Sequence, residues 1–183
     1  MSNETIEVGY RNIGVMGGVD YYHKFLLYTD SAGNQHTISG WTDPENSTEA
    51  LPFGNIRVFA NTPFDANNPD SPLMHPGQQQ HRETIVQGAD LSATWAAMVE
   101  NANSKDNIYP YDPIRQNSNT FADSVLRDAG LRQARTSRWT GTLCPDRQTI
   151  WASRTSAKPS PATTTSQPPP SSATPLRLKA SSF

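Results

Sequence analysis

The chain has little of what usually announces a chemistry. One cysteine, Cys144, stands among 183 residues, which excludes an internal disulfide and any paired-thiolate metal site. The four histidines, His23, His36, His75 and His81, are scattered and lack the i, i+4 spacing of a helical zinc site. No apolar run approaches the ~20 residues that span a bilayer, and no basic segment followed by an apolar stretch marks a cleavable export signal. The expectation is a soluble chain without cofactor or stable membrane insertion, cytoplasmic in its producer and exported, if at all, by a specialised system. Hydrophobic residues make up 34% and aromatics 9%, too little for every part of the chain to share in a core.

Composition changes abruptly after Gly130. Residues 1–130 carry 7 Lys+Arg and 16 Asp+Glu, a net charge of −9; residues 131–183 carry 8 Lys+Arg and 1 Asp, net +7, and the two sum to the whole-chain −2. Ser, Thr and Pro make up 25 of the last 53 residues, a composition that cannot bury enough apolar surface to fold. The expected organisation is an α+β domain over 1–131 and a disordered basic tail over 132–183. That tail reads either as a native basic extension or as the product of out-of-frame translation. The acidic domain gives no steering towards nucleic acid.

Within the first 130 residues the periodicities alternate between strand and helix. Ile6, Val8 and Tyr10 alternate with polar residues as in a half-buried strand. His23–Tyr28 and Gln35–Trp41 flank Thr29–Asn34, a Gly/Asn-containing connection that predicts a β-hairpin. Further strands are expected over Gly54–Ala60 and at Thr84–Val86. Between them, Asn61–Arg82 is a long polar stretch of the kind that is functional or mobile in compact domains. Its Asp65, Asn67, Asn68 and Asp70 lack calcium-loop spacing and read as turn formers. Asp90 can cap a helix burying Leu91, Trp95, Met98, Val99 and Ala102, and a second helix, about Asn119–Ala129, buries Phe121, Val125 and Ala129 before Gly130. Strands and helices in segregated runs imply an antiparallel sheet covered by two helices.

The run Asn117-Ser118-Asn119-Thr120-Phe121 opens that second helix. Unpaired N–H groups and the helix dipole favour negative charge there, which suits a nucleophile that becomes anionic. Ser118 is the candidate nucleophile and His23 the candidate base, with His36, Asp30 and Asp20 as groups able to orient the imidazole. Asn117 and Asn119 could position a substrate or supply an oxyanion-hole donor. Ordinary helix capping accounts for the same residues, and a satisfied core histidine accounts for His23.

A strand beginning with His, then a hairpin and loop, then a late Asn-Ser-x-x-Phe helix start resembles circularly permuted papain-like hydrolases of the NlpC and lecithin–retinol acyltransferase types. The stretches His23–Gly40 and Tyr111–Phe121 are also similar to domains carried by bacterial secreted and polymorphic toxins. The resemblance covers residues 20–131. It implies a papain-like fold, an amide or ester hydrolase acting as an effector, a peptide, peptidoglycan or lipid substrate, and an immunity protein as partner. On it, Ser118, His23 and His36 are catalytic, and Asn117, Asn119 and Tyr111 bind substrate. The family carries Cys where this chain has Ser118, so the alternatives are a serine nucleophile or a catalytically inactive binding module or truncated fragment.

Overall fold

Five strands, two α-helices and a one-turn 3-10 helix (Pro44–Asn46) are the regular elements among the residues that the computed structural model describes, 3–16, 19–78 and 80–132. The strands are β1 (Glu4–Met16), β2 (Val19–Thr29), β3 (Gln35–Thr42), β4 (Ile56–Pro63) and β5 (Gln80–Gly88), followed by α1 (Ser92–Asn103) and α2 (Ser118–Asp128). All neighbours pair antiparallel in the order β4-β3-β2-β1-β5. The class is α+β, as composition and periodicity predict. The basic segment, with Trp139 and Trp151, lies outside the described residues.

The hairpin falls where turn chemistry places it. Asp30 accepts the Ala32 and Asn34 N–H groups at 2.9 and 2.8 Å and the Asn34 amide at 2.8 Å, and these bonds, the Asn34 side chain first, hold its carboxyl below the usual range. Leu26↔Ile38 and Thr29↔Gln35 fix the register. β5 is longer than the three residues expected, because β1 extends beside it from Glu4 to Arg11 and supplies a ladder that local propensity cannot reveal.

Strand alternation separates two faces. One carries Ile6, Val8, Leu26, Tyr28, Ile38 and Ile56, which pack with Trp95, Met98, Ala102, Phe121, Ala122 and Val125 of the two helices into the apolar core. Gly40 makes room for α2: a Cβ there would lie 2.8 Å from the Phe121 ring. Trp95 stacks on Tyr28 with centroids 5.3 Å apart and donates its indole N–H to Asn61 at 3.0 Å. α1 begins without a side-chain cap on Leu91; Asp90 instead holds Ser92 N–H and hydroxyl at 3.0 and 2.6 Å. The opposite face carries Arg11, His23, Phe25, Leu27, Thr37, Ser39 and Trp41. No helix covers it. Strand order explains what does: the connection from Pro63 on one edge to Gln80 on the other must cross the three strands between. It lies over this face, with Phe64 stacked on Phe25 at 5.8 Å.

Candidate functional site

The residues expected to bind substrate do gather at the start of α2. Asn117 is the cap, accepting Asn119 N–H at 3.0 Å and Thr120 N–H at 3.3 Å, while the Thr120 hydroxyl accepts Asn117 N–H at 2.9 Å. Ser118 is therefore the first helical residue rather than the cap, and it is buried. Its backbone N–H donates to the Tyr111 hydroxyl, and its own hydroxyl lies within hydrogen-bond reach of the same group. Burial raises the Tyr111 pKa, and the two bonds from Ser118 offset part of that rise. The Ser118 hydroxyl also faces Asn119 Oδ1 at 3.5 Å. The donors of Ser118, Asn119 and Thr120, which would have to serve an oxyanion, are thus committed inside the protein.

The histidine expected to activate Ser118 is elsewhere. Lys24, its neighbour on β2, faces α2 and pairs with Asp123 at 2.5 Å, so strand alternation turns His23 to the loop-covered face. There its ring stacks on Trp41 with centroids 3.9 Å apart, and Nε2 lies 3.0 Å from Asp70 Oδ1; His23 is 2% exposed and the Asp70 side chain 0%. Arg11, paired with His23 across β1 and β2, sets Nε 4.0 Å from the same oxygen, lays its guanidinium 5.2 Å over Trp41 and donates to Gln78 Oε1 at 2.7 Å. Burial lowers the Arg11 pKa against the opposing pull of Asp70. The Ser118–His23 dyad is corrected by this geometry: the two side chains stand on opposite sides of one sheet, each among its own neighbours.

His36 does not complete it either. It pairs with Tyr28 near the hairpin turn, five residues along β2 from His23, and faces the helix side. Asp30 is consumed by its own turn, and the Asp20 side chain lies outside the description. The group that meets His23 is Asp70, read from sequence as a turn former. It is that too, since its N–H donates to Asn68 Oδ1 at 2.9 Å and its carbonyl accepts from Gln80 at 2.7 Å. Asn68 in turn donates to the Thr37 hydroxyl at 2.8 Å and the Pro63 carbonyl at 2.9 Å, which seats the loop on the sheet. Arg11 stands among other polar residues of β1, Glu4, Glu7 and Asn12, so nothing local marks it as the partner of Asp70.

No family model, no curated protein and no solved structure matches the chain. No helix among the described residues is long and apolar enough to cross a membrane.

Proposed function

We propose that the folded part of this chain is a binding module that recognises a protein or peptide surface and does not turn over an amide or ester. The separation of Ser118 from His23 by the thickness of the sheet supports this reading. A serine hydroxyl is a poor nucleophile without an aligned base, and the helix start that would stabilise an oxyanion is already closed by Asn117, Thr120 and Tyr111. On this reading the chain is a relative of permuted papain-like effector domains that kept a sheet with a helix-start serine and lost the catalytic pair. Phe53, whose ring lies 6.3 Å from that of Tyr111, is exposed and apolar, as are Leu51 and Ile114, which suits a protein partner better than peptidoglycan or lipid headgroups. The acidic domain does not suit nucleic acid.

A fluorophosphonate probe tests it. Intact-mass and peptide analysis should find no adduct on Ser118 beyond that on a Ser118→Ala control. Stoichiometric labelling of Ser118 would restore the hydrolase reading and remove this one.

A further inference from the structure

The loop-covered face contains polar groups that the fold brings together and leaves unsatisfied. Arg11 Nε, His23 Nε2, Ser39 Oγ and Trp41 Nε1, contributed by three adjacent strands, are buried without a hydrogen-bond partner among the described residues. Among the described residues, the carboxylate that meets Arg11 and His23 is Asp70, and both its oxygens also lack an aligned donor. His23 Nε2 approaches Asp70 at 3.0 Å off the hydrogen-bond direction, and Arg11 Nε stays at 4.0 Å. A buried donor without an acceptor is unfavourable, and here the Trp41 ring stacks on His23 and lies under the Arg11 guanidinium, with Ser39 on the same face of β3, so these donor-capable groups ask for an acceptor larger than an aspartate tethered to a loop.

The loop itself is inverted in polarity. Asn68, Asp70 and Ser71 are buried, whereas Leu73 and Met74 are 69% and 49% exposed. Apart from the Phe64 stack on Phe25, its hold on this corner of the sheet is therefore polar and exchangeable. Beside it a cavity of about 250 Å³ opens between Asn12–Gly14 and Gly77–Gln78, and Gln78 is the side chain that Arg11 grips.

We propose that Arg11, His23, Ser39 and Trp41 form a site for an oxyanion group, phosphate or carboxylate, and that Asp70 occupies it as an intramolecular surrogate. Arg11 supplies the charge-assisted donor, Trp41 an indole donor and a flat wall, and Ser39 a hydroxyl donor. One negative charge balances Arg11, whether it comes from Asp70 or from the ligand, so an incoming anion replaces the Asp70 carboxylate and the 64–78 loop lifts from this corner of the sheet. The site lies across the sheet from Ser118, and it stands or falls independently of whether Ser118 is catalytic.

The test uses the full chain with inorganic phosphate, acetate and, at matched ionic strength, chloride. Because the basic C-terminal segment attracts anions by itself, the readouts are confined to the socket. In Asp70→Asn, which removes the surrogate's charge at almost constant shape, phosphate or acetate should shift the Trp41 indole and His23 ring signals at a concentration about tenfold below that needed in the wild type. The shift should vanish in Asp70→Asn/Arg11→Gln. In the wild type, the same anions should speed amide exchange over residues 64–78 while exchange over α1 and α2 stays unchanged. Response to phosphate alone assigns a tetrahedral ligand, and response to acetate alone a carboxylate. No saturable response to either anion in a folded Asp70→Asn overturns the proposal. If that variant does not fold, an unchanged wild-type exchange rate over the loop overturns it instead.

Discussion

The two faces of this sheet bury comparable stretches of the same strands by different means. The helix face is closed by Trp95, Met98 and Phe121, apolar side chains that carry no hydrogen-bond debt beyond the Trp95 indole, which Asn61 satisfies. The loop face is closed by a sheet-crossing connection whose buried residues are Asn68, Asp70 and Ser71, set on Arg11, His23 and Thr37. Apolar burial is non-directional and gains free energy with area. A buried charge pair is close to neutral against an apolar replacement, yet costly to break from one side. The helix face is therefore where stability resides, and the loop face is where the molecule can change state.

Substitutions that remove comparable bulk should expose that difference. Trp95→Ala should cost about 3–5 kcal/mol in urea unfolding, by loss of the buried ring and its stack on Tyr28. Asp70→Ala should cost a similar ~3–5 kcal/mol, because it strands the Arg11 charge in the interior. The faces separate on rescue: Arg11→Met added to Asp70→Ala should recover most of the loss, and no single change elsewhere should do so for Trp95. A double variant as unstable as the sum of its parts would show that the loop face is held by packing, and the comparison would fail.

Gly9→Ala probes where the loop face is tight. The tip of the Phe25 ring lies over Gly9, and an added Cβ would collide with it, so about 1–3 kcal/mol of destabilisation is expected from overpacking. Asn117→Ala should cost about 1 kcal/mol through loss of the α2 cap and leave the loop face untouched. The smallest effect at neutral pH belongs to Tyr28, whose hydroxyl donates to Glu4 at 2.8 Å. Burial first, then this bond, pushes its pKa from 10.0 up to about 12. The folded pKa lies above the unfolded one, so the proton it holds contributes stability that is fully present below about pH 10 and is lost as pH rises to about 12. Urea midpoints across that alkaline window should fall in the wild type more steeply than in Tyr28→Phe.

The candidate site was legible only in part, for a reason visible in β2. From the run His23–Tyr28 a strand is plain, and so is its pairing with Gln35–Trp41 through the Asp30 turn. Which residue of the run faces a helix depends on what packs on each side, and a sheet buried on both faces hides that parity, since Lys24 and Phe25 are both buried. Placing His23 with Ser118 was thus a choice between two faces that local sequence does not distinguish. Tyr111, Asn117 and Asn119 lie beside Ser118 because they are near it along the chain. Asp70 was missed because its partners are 47 and 59 residues away (His23 and Arg11), and because Asx residues in a loop read first as turn formers.

Local sequence determined the elements: alternation at Ile6–Tyr10, the Asp30–Asn34 turn, the apolar stripe from Trp95 to Ala102 and the Asn117 cap each carry their own physical signal over a few residues. It also determined the charge contrast between the acidic first 130 residues and the basic remainder. Tertiary structure alone decided that β1 lies between β2 and β5. That order sends the Pro63–Gln80 connection across one face, sets Asp70 against Arg11 and His23, and leaves Ser118 on the other side. Strand order and facing are settled by long-range burial summed over the whole sheet, and no window of sequence contains that sum.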